Sequence, residues 1–198
     1  MDDKSLAEKL YSISEVDEMV KAQTSDFRYS LLDVILLLLY ADRDPIKGKT
    51  RQIKQVFLAL KEVLPKNSTQ PVIFKPKRFG PYSEEIEYSV DQLAFSNYVS
   101  ILGKKTSNDF STKIEKKGTD YIKNTFEGLS PELQSTLREK RHEWDTFTST
   151  GIMNYVYIHN KEFLENAILK KRHTMDWKNL NQLPEKVMKE TEDDEDDN

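Results

Sequence analysis

The chain contains no cysteine, which excludes disulfides, thiolate metal sites and cysteine nucleophiles together. It also lacks an apolar run long enough for a bilayer. The longest, Leu31 to Ala41, is about half of the roughly 20 residues a span requires and carries Asp33, so it reads as a buried helix. The opening MDDKSLAEK has neither the basic region nor the apolar core of a secretory signal, so a cytoplasmic location without a membrane partner is expected. Histidine is scarce: His142, His159 and His173 lie far apart, and Glu139 with His142 makes a single Glu-x-x-His pair where a di-metal bundle needs two. Gly48-Lys49-Thr50 ends like a phosphate loop, but Arg43 stands where that motif's first glycine belongs. The expectation is a protein that is not an enzyme and holds no metal or cofactor.

What is present is charge, unevenly spread. Charged residues make up 32% of the 198 and apolar ones 37%, which suits a helix-rich globular protein with solvated faces. The formal net charge is −4, yet residues 1 to 20 carry six acids and two lysines and residues 189 to 198 carry seven acids and one lysine. The middle of the chain is therefore basic, at +6. A basic body with acidic ends is the pattern of a surface that binds polyanions or of tails that compete with them. TEDDEDDN at the end reads as a solvated, disordered tail.

Periodicity supplies the elements. Residues 1 to 24 form an outlying helical extension, with Leu6, Leu10, Ile13 and Val20 on one stripe able to dock on the body or pair in a homodimer. Thr24, Ser25 or Asp26 caps the Leu-rich helix, and Pro45 with Gly48 breaks the chain after it. Thr50 caps a helix reaching Leu64 before Pro65, with Ile53, Val56, Phe57, Leu60 and Leu64 inward and Arg51, Lys54 and Lys61 as a basic outer row. PVIFKP, at 71 to 76, reads as an edge strand bounded by prolines, followed by a turn at Phe79 to Tyr82. Ser83 caps a helix to Ser96 that buries Ile86, Val90, Leu93 and Ala94. YVSIL and FSTKIE form a hairpin around GKKTSND, and helices follow at 119 to 126, 131 to 148 and 152 to 169. One apolar turn at Trp177 to Val187 precedes the tail.

The residues Pro45-Ile46-x-Gly48-x-Thr50-Arg51-x-x-Lys54, Phe74-x-Pro76, Phe79-Gly80-Pro81-Tyr82-Ser83 and Tyr155-Val156-Tyr157 occur in order. This set resembles a largely uncharacterised family of prokaryotic winged-helix proteins with PI-x-G-x-TR-x-x-K and YGPYS-type boxes. Phe79 stands at the first box position, where the family pattern has tyrosine. The resemblance spans about residues 30 to 160. It implies a mainly α (α+β) fold: a winged helix-turn-helix with a small β-hairpin wing and a helical C-terminal extension. The expected organisation is an extension at 1–24, a winged-helix core at 25–118, helices at 119–172 and a terminal segment at 173–198. Transcriptional regulation or interaction with a partner protein is implied by analogy.

Two sets of residues follow from these expectations. For a regulator contacting double-stranded DNA, the phosphate-binding cations are Lys47, Lys49, Arg51, Lys54, Lys75, Lys77 and Arg78 on the body and Lys104 and Lys105 at the wing. The helix in the recognition position, however, carries Glu84, Glu85, Glu87 and Asp91 and no lysine or arginine. Carboxylates there oppose counterion release on DNA. For a non-enzymatic adaptor or antitoxin-like module, the same carboxylates with Tyr82, Tyr88 and Tyr98 meet a protein partner.

Overall fold

The computed structural model describes residues 27–77, 79–104, 107 and 109–163. The N-terminal helical stripe, Arg78, Lys105, the Trp177 to Val187 turn and the acidic tail, all singled out in the sequence, lie outside the described residues.

Helix α1, Leu31–Asp42, is buried along nearly its whole length, as a run of leucines without polar periodicity requires. It starts later than its sequence suggests. Ser30 is the N-cap, accepting from the Asp33 N–H at 3.2 Å while the Asp33 carboxylate accepts from the Ser30 N–H at 2.9 Å. This reciprocal box satisfies two orphan backbone donors, so Phe27 remains outside the helix. Arg43 ends α1 in the left-handed conformation, with φ 65°, its N–H bonded to the Leu39 carbonyl.

Strand β1, Ile46–Lys47, leads into α2, Lys49–Leu58, whose N-cap is Gly48 rather than Thr50. The helix finishes in a π-turn over Ala59–Val63, closed by the Leu64 N–H on the Ala59 carbonyl at 2.8 Å. Leu64 then turns extended, as the residue before Pro65 must. A hairpin follows where an edge strand and a turn were expected. Its strands are β2, Lys75–Lys77, and β3, Gly80–Tyr82, paired through Lys75 with Tyr82, Pro76 with Pro81 and Lys77 with Gly80. The segment from Pro71 to Phe74 is not strand, and Gly80 to Tyr82, expected as a turn, is. Tyrosine and glycine offer ladder groups on either side of two prolines that donate nothing.

Helix α3, Glu84–Phe95, follows, with Ile86, Val90 and Leu93 buried. Strands β4, Val99–Leu102, and β5, Ser111–Ile114, form the expected hairpin in register Val99 to Ile114. Strand β5 also pairs with β1, giving a three-stranded antiparallel sheet of order β1-β5-β4. Helices α4, Lys116–Glu127, α5, Pro131–Asp145, and α6, Ser149–His159, complete the described fold with a 3₁₀ turn at Lys161–Phe163. Ser130 caps α5 and Thr148 caps α6 through their side chains. The architecture is α+β. Helices α4 to α6 are not a separate layer: Phe126, Leu137, Trp144, Ile152 and Tyr157 belong to the same apolar cluster as Leu36, Phe57 and Val90. No helix among the described residues is long and apolar enough to cross a membrane.

Candidate functional site

Helix α2 has no basic outer row. Every residue from Gln52 to Leu58 is buried, because β3 and α6 cover the face that periodicity left open to solvent. Lys54 is 2% exposed and donates to the Pro81 carbonyl at 2.6 Å. Burial without a carboxylate partner pulls its ammonium down to about 7. Arg51 is half-buried and donates to the Phe147 carbonyl at 2.7 Å and the Lys47 carbonyl at 3.3 Å, tying α2 to the start of α6. The boxes recognised in the sequence therefore meet inside the molecule. Lys54 of the Pro45 to Lys54 segment holds Pro81 of the Phe79 to Ser83 box, and Gly80 of that box lies so close to Tyr157 of the Tyr155-Val156-Tyr157 segment that a Cβ would sit 3.2 Å from its ring.

Lys49, Lys75 and Lys77 form one network with Glu84 and Glu87 of α3. Glu87 accepts from Lys49 at 2.8 Å and from the Tyr82 hydroxyl at 2.5 Å. That hydrogen bond, with partial burial, pushes the Tyr82 phenol up to about 12. Glu84 faces Lys77 at 3.5 Å and Lys75 at 4.0 Å, and the Lys77 ammonium lies 4.1 Å from the centre of the Tyr82 ring. The Lys49–Glu87 pair is partly shielded from water and so is the stronger; the Glu84 pairs are exposed and weak. Residues expected to serve two alternative partners thus neutralise one another. Lys47, at the end of β1, and Lys104, in the β4–β5 loop, are exposed.

The rest of the exposed face of α3 is different. Glu85, Tyr88, Asp91, Gln92 and Phe95 face solvent, with Tyr88 66% and Phe95 91% exposed. Beside them lies a groove of about 520 Å³ bounded by Leu32 and Leu36 of α1, by α3, by Tyr98 and by Tyr121 of α4. Tyr98 and Tyr121 meet edge to face, their centroids 5.4 Å apart. The Tyr121 hydroxyl donates to Asp33 at 3.1 Å, and burial followed by that carboxylate raises its pKa. The Lys117 ammonium lies 4.4 Å from the Tyr98 ring centre and donates to the Ser96 carbonyl at 2.9 Å. Tyr88, Asp91 and Tyr98, expected from the sequence as partner contacts, line this groove. Phe95, though not among the residues expected, was legible from its place two turns beyond Tyr88 on the same helix face. Tyr121 was not, because only the packing of α4 on α1 brings it there.

No protein-family model and no curated protein matches the chain.

Proposed function

We propose that the protein is a non-enzymatic protein-interaction module on a winged-helix scaffold, with the solvent face of α3 as its interface. The order α1-β1-α2-β2-β3-α3-β4-β5 and the strand order β1-β5-β4 support that scaffold, in which the β2–β3 hairpin is inserted between α2 and α3, the β4–β5 loop is the wing and α3 takes the recognition position. One observation carries the functional reading. Glu84 and Glu87 compensate the cations Lys49, Lys75 and Lys77, while the outer face of the same helix presents Tyr88 and Phe95 to water between acids. Aromatic side chains left exposed beside a groove suit a protein partner; a recognition helix without a cation does not suit a phosphate backbone.

Regulation through double-stranded DNA is the second reading, favoured by exposed Lys47, Lys104 and Lys113 along the three-stranded sheet and its loop. The two separate in one set of measurements. Fluorescence anisotropy of a labelled random duplex, at two salt concentrations, compares the full-length protein with Lys47→Ala/Lys104→Ala. Nuclease-treated extract is then passed over the wild type and over Tyr88→Ala/Phe95→Ala. The module reading expects little DNA affinity and at least one protein retained by the wild type and lost by the α3 variant. Salt-sensitive duplex binding that the lysine variant loses, with no α3-dependent protein, would replace it by the DNA reading.

A further inference from the structure

The groove beside α3 is open among the described residues, and the chain itself holds a stretch suited to cover it. Three of the six large apolar side chains exposed among the described residues, Tyr88, Phe95 and Tyr121, stand around this one depression, and Leu32 and Leu36 of α1 line it. Leaving such a surface in water costs free energy that an apolar cover recovers.

Composition separates the covers available. Lys49, Lys75 and Lys77 compensate Glu84 and Glu87, so the surroundings of α3 are mildly acidic and charge acts chiefly against strongly acidic segments. Residues 1 to 20, with six acids and two lysines, and residues 189 to 198, with seven acids and one lysine, are disfavoured on that ground. A second copy could present its basic surface, the sheet face that holds Lys47 and Lys113, but Leu102 is the exposed large apolar side chain there among the described residues. Residues 164 to 188 combine both properties. They carry five lysines and arginines against three acids, and Trp177, Leu180, Leu183 and Val187 follow one another at intervals of three or four residues, interspersed with Lys178 and Lys186.

Reach and tethering favour the same stretch. The described residues end at Phe163, which is buried with its ring centre 5.4 Å from that of Phe57. The roughly 14 residues from there to Trp177 span up to about 46 Å when extended, against a radius of gyration of about 14 Å for a body of this size. An occupant tethered in this way acts at an effective concentration on the order of millimolar. We propose that the chain covers the groove with its own residues 177 to 187, seating Trp177 and Leu180 against Tyr88, Phe95 and Tyr121. This goes beyond the interaction-module reading and gates it, because a partner of the α3 face gains access by displacing the stretch.

The chain has no cysteine, so an introduced pair of thiols is the sole pair present. Full-length protein with Gln92→Cys, at an exposed position on the groove, and Asn179→Cys is compared in a glutathione redox buffer with Lys104→Cys/Asn179→Cys, whose first thiol lies in the β4–β5 loop, after circular dichroism has established that each folds. The expected result is a disulfide within one chain in the groove pair, with an effective concentration at least about tenfold above that of the loop pair. That excess should fall at least about fivefold with Trp177→Ser/Leu180→Ser and with Phe95→Ser. Phe95 is 91% exposed, so its variant remains readable if the other fails to fold. Equal closure of the two pairs overturns the inference, as does an excess that neither substitution lowers, since the tether alone then brings the thiols together. A disulfide between two chains also overturns it and assigns the groove to a second copy. These outcomes leave the interaction-module reading standing, which fails separately if no protein is retained through Tyr88 and Phe95.

Discussion

Replacing Lys54 by methionine should change the pH dependence of stability more than stability itself. In the folded protein the ammonium is enclosed among apolar side chains with the Pro81 carbonyl as its hydrogen-bond partner, and its pKa falls from 10.5 to about 7. The unfolded chain keeps its proton up to about the ordinary value, so between about pH 7 and 10.5 the unfolded state binds more protons than the folded one. Wild-type stability therefore rises with pH through that window. One proton corresponds to 1.36 kcal/mol per pH unit, and allowing for partial protonation near pH 7 gives a gain of about 2.5 kcal/mol between pH 6.5 and 9. Methionine has a similar length and no charge, so Lys54→Met loses this dependence. It also leaves the Pro81 carbonyl without its donor, a pH-independent cost of about 1 kcal/mol. Urea unfolding of both proteins at several pH values isolates the lysine, because every other titrating group cancels in the difference. The stability of the variant relative to wild type should fall by about 2.5 kcal/mol from pH 6.5 to 9. A difference that stays constant within about 0.5 kcal/mol would mean that the ammonium is solvated or ion-paired, and would refute its burial beneath β3.

Two further substitutions probe the core that supports α3. Gly80 has φ 83°, and a Cβ there would lie 3.2 Å from the Tyr157 ring, so Gly80→Ala should cost about 1–3 kcal/mol in chemical denaturation and alter the near-ultraviolet signal of buried tyrosine; an unchanged midpoint would mean that the β2–β3 hairpin does not press on α6. Arg141 is fully buried, paired with Asp145 and donating to the Asp44 carbonyl at 3.0 Å, and Arg141→Ala should destabilise by about 3–5 kcal/mol because it strands these acceptors. A loss under about 1 kcal/mol, by calorimetry or denaturant, would place that guanidinium in water.

Much of the architecture was legible because local rules govern it. The leucine run of α1 has no polar side to expose, the alternation in Val99–Leu102 and Ser111–Ile114 around a polar loop specifies a hairpin, and Ser130 before Pro131 starts α5. The β2–β3 hairpin was missed: its first strand was expected a few residues early and its second as a turn, since prolines on both strands mark an edge without saying which neighbours pair. The candidate site divides in the same way. Composition of α3 alone revealed a helix rich in acids and aromatics and without a cation, and so the tension between DNA and protein partners.

Tertiary structure decided the rest. On the sequence, Lys54 sits at the margin of the apolar stripe of α2, where a lysine is ordinarily solvated; the laying of β3 and α6 across that margin buries it. Glu84 and Glu87 could have stood without cations, but the folding of the β2–β3 hairpin and the start of α2 against α3 brings Lys77 and Lys49 to them. Tyr121 joins Tyr88 only through the packing of α4 on α1. The sequence determined which side chains were available and on which face of each helix they stand, because periodicity and capping act within a few residues. Which charges cancel, which lysine is desolvated and where the aromatic groove opens are set by contacts between segments far apart in the chain, and those depend on how whole elements pack.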